Sequence, residues 1–119
     1  MAIIVIAEDE FLLADMLSSL LEDAGHEVRA AAHGAGALKL VRTHKPDLII
    51  TDFMMPLMTG LELAEAVRAD DGFSKIPILL LSGAQGDIGR ARPEMFNAVL
   101  DKPYTQAMLY AAVNRLLVP

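Results

Sequence analysis

The chain has 119 residues, the size of one domain, and 54% of them are hydrophobic against 22% charged, which excludes an extended or disordered polypeptide. Sixteen acidic residues against ten basic ones give a formal charge of −6, so the basic stripe that a nucleic-acid partner requires is missing. No apolar run reaches the about 18 residues of a membrane span, the opening MAIIVIAEDE has no basic leader or small-residue cleavage site, and there is no cysteine; one cytoplasmic domain over residues 1–119 is expected, with no direct role on nucleic acid or membrane.

The apolar run from Ile3 to Ala7 predicts a first strand that leads directly into Glu8, Asp9 and Glu10. An amphipathic helix is expected over residues 11–24, where Leu13, Met16, Leu17, Leu20, Leu21 and Ala24 recur at spacings of three and four, and Gly25 stops it as a left-handed cap. A second strand is expected from Val28 to Ala32, and a second helix from Gly36 to His44, ended by Lys45-Pro46. The third strand, Leu48 to Thr51, precedes Asp52, and a third helix runs from Leu61 to Ala69, ending before Gly72. A fourth strand from Ile76 to Leu81 precedes Ser82. Residues 85–95 carry the weakest helical pattern, because Gly86, Gly89 and Pro93 dilute it. The fifth strand, Ala98 to Leu100, leads to Lys102-Pro103, and a last helix over Gln106 to Leu117 has Leu109, Ala112, Val113 and Leu116 on one side.

Strands alternating with helices predict a parallel sheet, since parallel strands need long crossovers. Strands such as IIVIA and ILLLS are apolar on both faces, as expected when helices cover both sides of an α/β sandwich. Ligands of such folds collect at the carboxyl ends of the strands. There the sequence places Glu8, Asp9 and Glu10, then Asp52, Ser82 and Lys102. Asp9 and Asp52, with Glu8 close by, would repel one another unless a cation lay between them. A hard oxygen cluster with few protein ligands suits Mg²⁺, which keeps several waters and shares its coordination with phosphate. Asp52 would then be a nucleophile toward a phosphoryl group, with Lys102 neutralising charge and Ser82 donating a hydrogen bond.

The acidic triplet after the first strand, PDLIITDFMMPLMTGLEL at 46–63, LLLSGA at 79–84 and DKPY at 101–104 together resemble the receiver domain of two-component response regulators, of which CheY is a familiar example. The resemblance covers essentially the whole chain and needs several motifs in the correct order. It implies a flavodoxin-like (βα)5 doubly wound sandwich with a five-stranded parallel sheet. It implies that Asp52 is the phosphoacceptor, that Glu8, Asp9, Asp52 and the Met54 carbonyl hold Mg²⁺, that Ser82 is the switch hydroxyl and that Lys102 is the family's lysine. It also offers Lys102-Pro103 as a site for a cis peptide and Gly60 as the glycine before the third helix. Such a domain is a switch that catalyses its own phosphorylation and dephosphorylation, not an enzyme acting on other substrates. The implied donor is a sensor histidine kinase or a histidine phosphotransfer protein, and the implied output face is the fourth helix, fifth strand and fifth helix, offered to an effector protein.

Three positions depart from the family pattern. Glu8 stands where aspartate is common, Val99 where many receivers carry an aromatic that swings inward, and Met54 and Ala84 where polar residues often position an attacking water. A phosphatase using a strand-end aspartate would need a second aspartate two residues on, and Met54 occupies that place. A flavin or nucleotide module would need amides and hydroxyls after the first strand, where the acidic triplet would repel phosphate. A degenerate receiver that only docks partners is the remaining alternative, and no member of the constellation is missing to favour it. Taken singly, Asp9 or Glu10 reads as a helix cap. Met54, Met55 and Met58 read as loop packing around Pro56, His26, His33 and His44 as surface or cap residues, and Arg90 and Arg92 as a solvated face.

Overall fold

Strands that are apolar on both faces cannot leave either face in water, and this chain covers both. The computed structural model describes residues 1–118. In chain order the elements are β1 (Ile3–Ala7), α1 (Phe11–Asp23), β2 (Glu27–Ala31), α2 (Gly34–His44), β3 (Leu48–Asp52), α3 (Gly60–Arg68), β4 (Ile78–Ser82), α4 (Gly86–Arg90), β5 (Ala98–Asp101) and α5 (Gln106–Leu117). The strands form one sheet in the order β2-β1-β3-β4-β5, with every neighbouring pair parallel. This is the flavodoxin-like topology that the resemblance implies, and its switch point lies between β1 and β3.

Alternation along each strand divides the core into two layers. Ile4, Ile6, Leu48, Ile50, Leu79 and Leu81 face α1 and α5, where Leu17, Leu21, Leu109 and Val113 complete one layer. Val5, Ala7, Ile49, Ile78 and Leu80 face the other way, against Ala37 and Val41 of α2 and Leu63, Ala64 and Val67 of α3. Each fully buried aliphatic side chain of this kind stabilises the fold by about 1.5–3 kcal/mol.

Local chemistry moves several boundaries from those expected. Strand β2 starts at Glu27 and ends at Ala31, one residue early at each end, because Ile3 to Ala7 pair in register with Glu27 to Ala31. Helix α2 starts at Gly34, two residues before the expected point, because the His33 imidazole accepts the Gly36 N–H at 3.0 Å and caps it. Helix α3 starts at Gly60 through a capping box in which Thr59 and Glu62 bond each other's backbone N–H. Strand β4 runs from Ile78 to Ser82 instead of from Ile76, since Pro77 has no N–H and that of Ile76 is taken by the Phe73 carbonyl at 3.2 Å. Strands β3 and β5 extend to Asp52 and Asp101, so the chemistry-bearing residues are in the ladder or directly behind it. Of residues 85–95 only Gly86–Arg90 are helical. Helix α5 has the expected bounds, and Gly25 has the expected left-handed conformation at φ 94°.

Gly60 ties the fold to the site. Its N–H donates to the Phe53 carbonyl at 2.8 Å, and a Cβ at this position would collide with the Asp52 carbonyl oxygen. Gly60→Ala is therefore expected to destabilise the chain by about 1–3 kcal/mol in urea unfolding. An unchanged midpoint would show that the loop between β3 and α3 yields freely.

Candidate functional site

The sheet's carboxyl edge brings together residues from four segments that are distant in sequence. Glu8 follows β1, and its N–H donates to the Ala31 carbonyl at 3.0 Å, which continues the ladder and turns its side chain inward. Asp9 is exposed beside it. Asp52 ends β3 at the switch point, with its carbonyl accepting the Thr51 hydroxyl at 2.9 Å. Ser82 ends β4 opposite Asp101 of β5, and the Lys102 N–H donates to the Ser82 carbonyl at 2.7 Å. That bond fixes where the Lys102 side chain starts. Its Nζ then reaches Asp52 Oδ1 at 2.6 Å, with the Asp52 side chain 16% exposed and Lys102 32%.

Carboxylate oxygens of Glu8, Asp9 and Asp52 lie within 4.8 Å of one another, facing the single Lys102 ammonium. Burial, with the hydrogen bond and charge of neighbouring Asp52, pushes the Glu8 carboxyl up from 4.5 to about 8, only partly offset by Lys102. For Lys102, burial disfavours the charge, but the hydrogen bond and charge of Asp52, aided by Glu8, outweigh it and raise the pKa. Two buried polar atoms have no hydrogen-bond partner among the described residues, Glu8 Oε2 and Ser82 Oγ, and both lie at this edge. An unsatisfied buried group costs about 1–3 kcal/mol, so two at one place point to something that binds there. Three converging carboxylates with an unpartnered oxygen fit a hard divalent cation; the unpartnered hydroxyl fits an oxyanion acceptor.

Glu8, Asp9, Asp52, Ser82 and Lys102 are thus gathered as the sequence suggests. Met54 lies two residues beyond Asp52 with its side chain 59% exposed, and its carbonyl accepts no hydrogen bond from the described residues. Of the three methionines read as loop packing, Met55 is buried and Met58 packs on the core, whereas Met54 does neither. The Lys102–Pro103 peptide is cis. His33 is a helix cap and the His26 Nδ1 accepts the Ala2 N–H at 3.2 Å. Arg90 pairs with Asp87 and Asp101, and Arg92 with Glu65 and Glu94. Sequence reasoning gave no role to Thr51 or Tyr104, although Tyr104 sits in the DKPY run and is half-buried over Lys102, its hydroxyl pushed up chiefly by burial.

A cation-free chain should show the Glu8 shift as a pH dependence of stability. Below the unfolded value of 4.5 both states are protonated; as pH rises toward about 8 only the unfolded chain ionises, so stability falls, and it levels off above that value. Glu8→Gln removes the loss. Without divalent cations the variant should match the native chain near pH 4 and exceed it by on the order of 1–3 kcal/mol near pH 8.5. Equal stabilities at both pH values would contradict the burial argument.

The family model described as "Response regulator receiver domain" matches residues 4–114. The polar-differentiation response regulator DivK of Brucella anthropi is 33% identical over 102 residues, covering 84% of this chain and 83% of its own. Among solved structures, the chemotaxis response regulator CheY4 of Vibrio cholerae superposes with a TM-score of 0.89 at 32% identity, covering 98% of this chain and 99% of its own. The receiver domain of a signal-transduction histidine kinase from Syntrophus aciditrophicus gives 0.89 at 29% identity, covering 98% and 90%.

Proposed function

The chain belongs to the response-regulator receiver family, and from that premise we propose that it is a single receiver unit that accepts a phosphoryl group on Asp52, with Mg²⁺ held by Glu8, Asp9, Asp52 and the Met54 carbonyl. The observation that carries this reading is the buried edge at which Lys102 grips Asp52 at 2.6 Å while Glu8 and Ser82 each hold an unpartnered oxygen. Bound Mg²⁺ would supply positive charge against the carboxylates and the incoming phosphoryl oxygens. Asp52 presents the oxygen that Lys102 does not hold to phosphorus; a P–O bond forms there as the donor's P–N bond breaks, and the pair of electrons leaves with the donor imidazole. Lys102 keeps Asp52 ionised and oriented, and then shares its charge with a phosphoryl oxygen. The Ser82 hydroxyl donates to another.

The donor is a sensor histidine kinase or a histidine phosphotransfer protein, and the compartment is the cytoplasm; among the described residues no helix is long and apolar enough to cross a membrane. When Ser82 moves toward the phosphoryl group, the adjoining loop and the α4–β5–α5 face shift between two packings and change the binding of an effector. Val99, half-buried on β5, takes the place of a swinging aromatic, so the shift runs through the backbone of β4 and α4 instead.

Intact-mass measurement after incubation with acetyl phosphate should find one phosphoryl adduct that needs Mg²⁺ and is lost with a chelator or with Asp52→Asn. Lys102→Ala should still take up phosphoryl but no longer shift the amide resonances of β5 and α5. An adduct on the Asp52 variant would reassign the acceptor. No adduct from acetyl phosphate or from kinase donors would favour a docking-only receiver.

A further inference from the structure

Helices α1 and α5 lie on the same face of the sheet. Below, the Tyr110 hydroxyl donates to the Leu20 carbonyl at 2.8 Å and ties them together. Above that bond α1 and the connection from β5 to α5 enclose a cavity of about 460 Å³ that opens beside Glu8, Asp52 and Lys102. Its floor is the sheet, through Ile6, Ile50 and Leu81, and one wall is the α1 stripe of Leu13, Met16, Leu17 and Leu20. Tyr104 and Pro103 make the other wall. The cavity explains why Met16, a member of the apolar stripe, is 55% exposed: α5 does not close over it.

A cavity of this size with aliphatic walls and a few polar groups at one end has the form of a small-molecule site. The mouth selects the head group. Three acidic side chains face one ammonium there, and that ammonium is already paired with Asp52, so even with the Glu8 carboxyl protonated the excess of acid over base disfavours an anionic head and favours a cationic one. Glu8, 7% exposed, lines this opening, and its Oε2 has no partner among the described residues. We infer that the cleft between α1 and the β5–α5 connection is a binding site for a small lipophilic amine, whose apolar body lies along α1 and whose ammonium bonds Glu8. Such a ligand and Mg²⁺ would claim the same carboxylate, so occupancy would antagonise phosphoryl acceptance; this last consequence rests on the metal reading above.

The test is titration of the full chain with phenylbutylamine, followed by methyl and amide resonances, with phenylbutyrate and butylamine as controls. One phenylbutylamine should bind per chain at about 10 µM to 1 mM, with nuclear Overhauser contacts from its ring to the methyls of Leu13, Met16 and Leu20. Phenylbutyrate and butylamine should bind at least about tenfold more weakly. Met16→Trp, at an exposed position, should fill the cleft and weaken the amine by a similar factor, and saturating Mg²⁺ should do the same. Acetyl phosphate labelling should slow in proportion to occupancy. Binding that ignores Met16→Trp, equal binding of the anionic control, or no contacts to the α1 methyls would overturn the site. If Mg²⁺ itself fails to bind, the metal reading falls, while the contacts and the control ligands still decide the amine site.

Discussion

The Lys102 ammonium meets the Asp52 carboxylate at 2.6 Å across the end of β4, and most of the structure serves to make that contact possible. The two residues are fifty positions apart and their strands are not neighbours. They meet because β3, β4 and β5 are parallel and in register, so that Asp52 lies opposite Leu81, Ser82 lies opposite Asp101, and Lys102 leaves the ladder through a bond to the Ser82 carbonyl. Apolar layers on both faces hold that register, because a slip by one residue would turn Ile78 and Leu80 toward the wrong layer. Gly60, pressed on the Asp52 carbonyl, fixes the loop on the other side.

The same frame leaves the edge short of partners. Lys102 satisfies one oxygen of Asp52, but Glu8 Oε2 and Ser82 Oγ are buried with no partner among the described residues, at a cost of about 1–3 kcal/mol each. A fold optimised for stability alone would have filled this place with apolar side chains. Its retention of a neutral-leaning acid and a free hydroxyl beside an ion pair is what a cation and an oxyanion together would correct. The carboxyl at Glu8, one methylene longer than aspartate, can reach inward from a strand end that is itself buried, whereas Asp9 approaches from solvent.

The order of strands and helices was legible because β1, β3 and β4 are mostly apolar on both faces and the glycine and proline punctuation is clear. That Glu8, Asp9, Asp52, Ser82 and Lys102 would meet at one edge was legible because each lies at a strand end, where parallel sheets expose side chains to ligands. What escaped the sequence has local causes. The early start that His33, read as a surface or cap residue, gives α2, and the Thr59–Glu62 box at α3, depend on side-chain geometry that periodicity does not register. The five-residue α4 follows from Gly86 and Gly89, which allow it to lie so close to β4 and β5 that a Cβ on Gly89 would meet Leu80. Neither the cleft between α1 and the β5–α5 connection nor the exposure of Met16 could be read from the stripe, because spacing gives the face of a helix and not the distance of its neighbour.

The most direct test of the proposed site is calorimetric titration of the chain with Mg²⁺ at pH 7 in two buffers of different ionisation enthalpy. With the Glu8 carboxyl raised to about 8, binding to a single site should release close to one proton per ion, and affinity should climb with pH until that value is passed. Glu8→Gln should lose the proton release and most of the affinity. A chain that binds no Mg²⁺, or binds it with no proton release and no dependence on Glu8, would contradict the reading of this edge as a cation-dependent phosphoacceptor.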